Sequence, residues 1–136
     1  MRNIKYIAVH CTATSQKTSI SAIQSYWKNQ IGWKMPGYHF IILPDGTEVQ
    51  LLPIEEISNG VKGFNSNLIN IAYLGGVDSN NKPLDNRTQN QKTTLLKLLK
   101  KYKKQFPLAI IQGHKDFPNV SKACPSFDAK KEYKNI

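Results

Sequence analysis

Five segments of the chain have the apolar pattern of β-strands. The first alternates apolar with polar residues and is rich in β-branched side chains, which is typical of a strand. Asp45 and Gly46 stand between the second and third segments and predict a hairpin turn. The fourth is almost wholly apolar, which indicates a buried strand. The predicted strands span residues 4–10, 38–43, 48–52, 68–74 and 108–112.

Three segments have the spacing of helices. The first follows a cap at Thr18 or Ser19, and its apolar residues Ile20, Ile23 and Trp27 recur at helical spacing. Because helices and strands interleave along the chain, residues 1–136 are predicted to form a single α/β domain, a central mixed sheet flanked by helices. The predicted helices end near residue 30, span 91–106 and span 127–133.

The long helix at 91–106 is amphipathic and basic. A helix of this kind lies on a membrane, binds a partner, or packs on the core with its lysines in solvent. We favour the packed helix. Its apolar side comprises Leu95, Leu96, Leu99, Tyr102 and Phe106, and its lysines are Lys97, Lys100, Lys101, Lys103 and Lys104.

The charge balance indicates an anionic partner without identifying it. The 136 residues include 19 basic and 9 acidic ones, a net charge of +10, and only Arg2 and Arg87 of the basic residues are arginines. Sites that recognise phosphate or guanine specifically favour arginine, so we expect no specific nucleic-acid site. Non-specific attraction to nucleic acid, a membrane surface or a cell-wall polymer stays open.

The N-terminal residues lack the pattern of a secretory signal. Lys5 interrupts the short apolar run there, and no stretch approaches the ~20 apolar residues of a membrane span. We therefore expect synthesis in the cytoplasm, with action on an external target only after release by a separate factor. Two distant cysteines do not suggest a disulfide framework, and a reducing compartment fits them.

Two metal-ligand residue types, His10 and Cys11, stand side by side near the end of the first predicted strand. Adjacent strand side chains point to opposite faces, so this pair is not expected to bind one ion together. Cys11 shares its parity with Ile7 and Val9, and we interpret it as a small buried residue. His10 points to the other face at the carboxyl end of its strand, where ligand sites collect in α/β sheets.

His114 follows the last predicted strand, and Cys124 lies ten residues later. With His10 they would form a zinc site with an open fourth position, which is typical of catalytic rather than structural zinc. One alternative is a pair of hydrogen-bonded histidines with a free thiol. Others are a Cys11–Cys124 disulfide, or a Cys124 nucleophile with His114 as base and Lys122 lowering the thiol pKa.

Two other residues are interpreted as structural. His39 has the opposite parity to Tyr38, so we expect a hydrogen-bonded histidine that faces away from a cleft. Ser126 follows Pro125 and is predicted to cap the last helix.

Seven short segments, taken in order, resemble one known family: VHCTAT, GYHFII, PDGT, KGFNSN, LGG, GHKD and KACPSFD. Together they resemble the zinc-dependent N-acetylmuramoyl-L-alanine amidases of the bacteriophage-lysozyme type, which are related to peptidoglycan-recognition proteins. The resemblance extends over residues 4–133. It implies a central mixed sheet flanked by helices, with a zinc ion in a surface groove.

The resemblance also implies a role for each candidate residue. The implied ligands of one zinc ion per chain are His10, His114 and Cys124, the implied catalytic residues are Tyr38 and Lys122, and the implied substrate-groove residues are Phe64 and Asn65. Related amidases often carry a histidine in the loop before the segment KGFN, and this chain has Gly60 near that place. We therefore expect one contact to a ligand residue or to the substrate to be missing.

The implied reaction is hydrolysis of the amide between N-acetylmuramic acid and L-alanine by a zinc-activated water. Such an enzyme would act as a phage or prophage endolysin, or as a cytoplasmic amidase that recycles muropeptides. A non-catalytic peptidoglycan-binding or regulatory module of the same fold is another alternative, and a nucleic-acid binder is supported by charge alone. The expected partner is peptidoglycan or a muropeptide, and we expect a monomer.

Overall fold

A five-stranded sheet forms the centre of the structure, a computed structural model that describes residues 2–136. Its strands are β1 (Tyr6–Cys11), β2 (Phe40–Ile42), β3 (Glu48–Gln50), β4 (Leu68–Tyr73) and β5 (Ile110–Gly113). They lie in the order β3-β2-β4-β1-β5 across the sheet. The β2–β3 hairpin is antiparallel, and the other three pairs are parallel. The predicted mixed sheet and hairpin are therefore confirmed.

Three α-helices accompany the sheet: α1 (Ile20–Ser25), α2 (Gln89–Gln105) and α3 (Ala129–Glu132). The Ser19 hydroxyl caps α1 by accepting the Ala22 N–H at 3.1 Å. The helix continues as a π-helical stretch, Tyr26–Ile31, and ends at Gly32, whose φ of 86° favours glycine. Within residues 2–136, no helix has the length and apolar content needed to cross a membrane.

One face of the sheet is covered by α2. Its buried side chains Leu95, Leu98, Leu99 and Tyr102 pack with Ile7, Val9, Ile69 and Ile71 of the two central strands. Most of its lysines are exposed, so the packed amphipathic helix is confirmed. The prediction for Leu96 was wrong, because Leu95, Leu98, Leu99 and Tyr102 follow the i, i+3, i+4, i+7 pattern and Leu96 falls at its exposed edge.

The opposite face carries two smaller apolar clusters. Ala8 and Leu68 pack with Val61 and Phe117 in the first cluster. Ile41 and Leu74 pack with Ile23 and Trp27 in the second. The candidate site described below lies on this face of the sheet, which α2 does not cover.

Local hydrogen bonds explain where element ends differ from their prediction. β5 begins two residues late because the Ala109 N–H donates to the Phe106 carbonyl in a turn. α2 begins two residues early, at a capping box in which the Thr88 hydroxyl accepts the Gln91 N–H. The predicted cap of the last helix was wrong. Asp128 caps α3, while the Ser126 hydroxyl donates to the Gly76 carbonyl at 2.8 Å.

Arg87 connects the C-terminal helix to the rest of the molecule. Its guanidinium donates to the carboxylates of Asp85 and Glu132 and to the Tyr133 hydroxyl, at 2.9 to 3.0 Å. It also stacks on the Phe127 ring at 3.4 Å from the centroid. The Arg87 side chain is only 2% exposed, so its charge depends on these partners for compensation.

We expect Arg87→Met to lower the free energy of unfolding by about 3 kcal/mol, because it leaves two carboxylates without their partner. Arg87→Lys should be an incomplete replacement, since an ammonium cannot make two bidentate contacts. Urea denaturation measures both effects. The matched control is Lys100→Met on the exposed side of α2, which should change stability by less than about 0.5 kcal/mol. Equal stabilities of the Arg87→Met and Lys100→Met variants would contradict the role of Arg87.

Candidate metal centre

Three residues from distant parts of the chain meet at the carboxyl edge of the sheet. His10 lies in β1, His114 directly follows β5, and Cys124 lies in the loop before α3. Because β1 and β5 are parallel neighbours, their carboxyl ends lie at the same edge. Each side chain offers one ligand atom, and these atoms lie within 4.8 Å of one another. The structure thus brings together the three residues expected to bind zinc.

Backbone contacts hold Cys124 against β1. The Cys11 N–H donates to the Cys124 sulfur at 3.1 Å, and the Lys115 N–H donates to the Cys124 carbonyl at 2.9 Å. His10 Nδ1 lies 3.9 Å from the same sulfur. The Cys11 side chain is buried, with its sulfur 3.9 Å from the Ser126 hydroxyl. The interpretation of Cys11 as a small buried residue is therefore confirmed, and its backbone N–H contributes to the cluster.

Both histidines of the cluster are electrically neutral at pH 7. Burial and the nearby His114 lower the pKa of His10 to about 3. Burial and the Lys122 ammonium lower the pKa of His114 to about 4. Neutral imidazole is the form that coordinates a metal ion, so neither ring has to lose a proton before it binds one.

Both cysteines are free thiols, so the disulfide alternative is not realised in the structure. A hydrogen bond with Cys11, together with burial, raises the pKa of Cys124 well above its ordinary value. A catalytic cysteine nucleophile needs the opposite shift, which disfavours that alternative. Two neutral imidazoles and a thiol that loses its proton on binding form a ligand set that suits zinc.

Comparison with known proteins identifies the family. The model of the family described as N-acetylmuramoyl-L-alanine amidase matches residues 1–127. The chain belongs to this family. The endolysin of Klebsiella phage KP32 is 36% identical to it over 126 residues, which cover 92% of this chain and 82% of that protein. The resemblance seen in the sequence is therefore confirmed, and the protein is an N-acetylmuramoyl-L-alanine amidase, a peptidoglycan hydrolase.

Solved structures agree with the fold of the amidase. The Ph2119 endolysin from Thermus scotoductus MAT2119 bacteriophage Ph2119 superposes with a TM-score of 0.78 at 28% identity, covering 92% of this chain and 79% of that one. Drosophila PGRP-LB superposes with a TM-score of 0.80 at 16% identity, covering 99% of this chain and 82% of that one. The second comparison shows a shared fold only.

The two residues expected to assist catalysis flank the cluster. Tyr38 lies beside His10, with ring centroids 5.0 Å apart, and its hydroxyl donates to the Cys11 carbonyl at 3.2 Å. Burial and the nearby thiols of Cys124 and Cys11 raise its pKa well above the ordinary value, so the hydroxyl keeps its proton. Lys122 is exposed at the rim of the site, two residues before Cys124.

The cluster opens into a cavity of about 590 Å³ that Tyr38 and Lys122 also line. Three further aromatic side chains, Tyr26, Trp27 and Trp33, line this cavity. A second groove shares Trp33, His114 and Lys122 with this cavity, and its lining includes the two predicted substrate-groove residues. There Phe64 packs against Tyr6 and Phe117, and the side-chain Oδ1 of Asn65 accepts the Val61 N–H at 2.7 Å.

Three buried polar residues support the cluster from behind. His39 is fully buried, is hydrogen-bonded and does not line the cavity, so its structural interpretation is confirmed. The sequence reasoning missed Ser58 and Asn70, which connect His39 to His10. The signal for Asn70 was available, because it is the one polar residue within the apolar run at 68–74 other than the Tyr73 hydroxyl.

We expect the free energy of unfolding of the metal-free amidase to fall as the pH decreases from 6.5 to 5. Burial lowers the pKa of His39 to about 4, and His10 and His114 are lowered likewise, to about 3 and about 4. The unfolded chain therefore binds protons in this range that the folded chain does not, at up to about 1.4 kcal/mol per pH unit for each histidine. Of the three histidines, the partly exposed His114 should contribute least to this change in the free energy of unfolding.

Urea denaturation of chelator-treated protein at several pH values checks this expectation. Carboxyl groups titrate mainly near pH 4, below the tested range, so the histidines dominate the slope. A stability that stays constant between pH 6.5 and 5 would show that the three imidazoles keep ordinary pKa values in the folded protein.

Proposed function

We propose that the protein is a zinc-dependent endolysin that hydrolyses the amide between N-acetylmuramic acid and L-alanine in the bacterial cell wall. The observation that carries the proposal is the cluster of His10, His114 and Cys124 beside Tyr38 and Lys122, in a chain that belongs to the amidase family. The endolysin role is supported by the phage relative, which covers 92% of this chain. The net charge of +10 suits an anionic cell wall.

The ligand set would hold one zinc ion per chain and leave a coordination position towards the cavity. His10 would bind through Nδ1, because its Nε2 lies 2.8 Å from the Asn70 amide oxygen. When bound, zinc supplies a Lewis acid that acidifies water and polarises the scissile carbonyl. Three protein ligands with an open position are typical of catalytic rather than structural zinc.

Tyr38 and Lys122 would act on the charge that develops during hydrolysis. Attack on an amide places negative charge on the carbonyl oxygen, and donors already aimed at that position stabilise it. Tyr38 keeps its hydroxyl proton because its pKa is raised, so it would donate to that oxygen on turning away from the Cys11 carbonyl. The Lys122 ammonium at the rim of the cavity would attract the same charge from the solvent side.

Two adjoining grooves meet at His114 and Lys122 and would hold the substrate on either side of the scissile amide. The first has aromatic lining residues that include Tyr26 and Trp27. The second contains Phe64 and Asn65. Because Phe64 packs in an aromatic cluster and Asn65 is hydrogen-bonded to its own loop, both would shape the groove and position its walls.

We expect purified protein to contain about one zinc ion per chain and to release stem peptides from intact sacculi. Cys124→Ala should abolish both properties, because it removes the only thiol that faces both histidines. Metal analysis and detection of newly formed N-terminal L-alanine measure the two properties. Full activity after zinc removal would refute the proposed mechanism.

The matched control is Cys11→Ala. This variant removes the neighbouring buried thiol but keeps the backbone N–H that contacts Cys124, so it should retain zinc. If Cys11→Ala lost zinc and Cys124→Ala retained it, the ligand would be Cys11, and the assignment of Cys124 would be wrong. If the protein cleaved soluble muropeptides but released no stem peptides from sacculi, its role would be muropeptide recycling and the endolysin role would be wrong.

We expect Lys122→Ala to lower the turnover number by about 10²–10³-fold while zinc content stays near one per chain, because removing a single stabilising donor has that effect. Lys115→Ala is the matched control, since Lys115 is an exposed lysine next to His114 that does not line the cavity. Comparable losses in the two variants would indicate a general effect of charge. Loss of zinc from Lys122→Ala would make Lys122 a structural residue.

A further inference from the structure

Asn70 is a fully buried amide in the middle of the sheet. It lies in β4, opposite Ala8 of β1, and its side chain extends along the face that carries the metal cluster. Its amide oxygen is 2.8 Å from His10 Nε2, and its amide nitrogen is 2.7 Å from the Ser58 hydroxyl oxygen. A buried amide in a central strand costs free energy unless its polar atoms are paired, and both are paired here.

Backbone groups determine the direction of the hydrogen bonds behind Asn70. The Asn70 backbone N–H can only donate, and it lies 3.0 Å from His39 Nδ1, so that nitrogen is the acceptor. The Glu56 carbonyl can only accept, and it lies 2.8 Å from His39 Nε2. The Arg2 guanidinium, which can only donate, is farther from that nitrogen, at 3.3 Å. The shorter contact with Glu56 and the contact of Asn70 with Nδ1 assign the proton of His39 to Nε2.

The donor and acceptor roles of Ser58 and Asn70 follow from the tautomer of His39. His39 Nδ1 carries no proton, so in its 3.1 Å contact with Ser58 only the hydroxyl can donate, and the lone pair of that nitrogen is shared with the Asn70 N–H. The Ser58 oxygen accepts from the Asn70 amide NH₂ at 2.7 Å. The Asn70 oxygen consequently faces His10 and can only accept, so His10 donates from Nε2. The lone pair of His10 is left on Nδ1, the nitrogen 3.9 Å from the Cys124 sulfur.

Gly60 provides the space that the Asn70 amide occupies. A Cβ atom at position 60 would overlap the oxygen, carbon and nitrogen of that amide. Gly60 does not have a positive φ, so its backbone would accept other residues and the constraint is one of volume. The Asn70 amide fills this space and places its oxygen next to His10.

We propose that Asn70 is a positioning residue that holds His10 in the Nε2–H tautomer, with Nδ1 directed at the metal position, and that Gly60 is required to admit it. The inference rests on the proposed zinc site. An imidazole that binds a metal through one nitrogen commonly donates from the other, and loss of that partner weakens metal binding by about 10–100-fold.

The first test is long-range ¹H–¹⁵N correlation of the histidine rings by NMR, on metal-free and zinc-loaded protein at pH 7. We expect the Nε2–H tautomer for both His10 and His39 without metal, and His10 coordinated through Nδ1 with zinc. Asn70→Ala should change the His10 ring signals in the metal-free protein and leave His39 in the Nε2–H tautomer. An Nδ1–H tautomer of His10 in the wild-type protein would overturn the inference.

The second test is zinc affinity, measured by competition with a chromogenic chelator. Asn70→Ala should weaken it about 10–100-fold, whereas Asn70→Asp, which keeps an acceptor oxygen of the same shape, should restore most of it. The control is Gln91→Ala, which removes another fully buried amide, bonded to the carbonyls of Ile42 and Leu74 away from the cluster. It should lose stability but not zinc affinity.

The third test is a double-mutant cycle between positions 60 and 70. Gly60→Ala should weaken zinc binding in the wild-type background and have little effect in the Asn70→Ala background, because the clash is then removed. Additive effects, or unchanged affinity in Asn70→Ala, would refute the positioning role. Absence of zinc binding by the wild-type protein would instead refute the proposed function, and the NMR test would still decide the tautomer of His10.

Discussion

The parallel pairing of β1 with both of its neighbours is the constraint on which the site depends. β1 is in register with β4 over six residue pairs and with β5 over four. Apolar side chains of β1 and β4, among them Ile7 and Ile71, are fully buried against α2, so a shift by one residue would expose them. The same register pairs Asn70 with Ala8, two residues before His10 on β1. It also brings the end of β5, followed by His114, next to the end of β1.

Burial gives the site its chemical character as well as its position. His10, His39, Ser58 and Asn70 are all buried polar residues on or beside the sheet. Across residues 2–136, each buried side-chain nitrogen and oxygen has a hydrogen-bond partner. The environment that lowers the histidine pKa values is therefore free of the penalty that unpaired polar groups would add. Because His10 is buried and hydrogen-bonded in this way, its imidazole is neutral before a metal ion binds.

The sequence predicted what depends on local pattern, and it failed where tertiary contacts decide. Strand alternation correctly separated His10 from Cys11, and the hairpin followed from Asp45 and Gly46. Leu96 was predicted to be on the buried side of α2, and Leu98 was not included. The rotation of the helix about its axis relative to the sheet decides which side chains are buried, and that rotation depends on tertiary packing. Ser126 is a good cap by residue type, yet its hydroxyl is used by the Gly76 carbonyl in a contact between residues 50 positions apart.

The predictability of the candidate site divides in the same way. Residue chemistry and strand ends pointed to His10, His114 and Cys124, because those residue types are few in the chain. Asn70 was missed because a single amide in an apolar run has no interpretation until its neighbours are known. Gly60 was recognised only as a departure from related amidases, and its relation to Asn70 becomes visible only when the loop is packed on the sheet.

A neutral partner for His10 has an electrostatic consequence for the proposed reaction. A carboxylate at position 70 would also accept from Nε2, but it would add a buried negative charge behind the metal position. The Asn70 amide satisfies the same nitrogen without that charge. In the proposed site the thiolate of Cys124 is then the only anionic ligand, and the Lys122 ammonium adds a positive charge at the rim. The net positive field is directed at the cavity, where negative charge develops on the amide oxygen as the bond to L-alanine is hydrolysed.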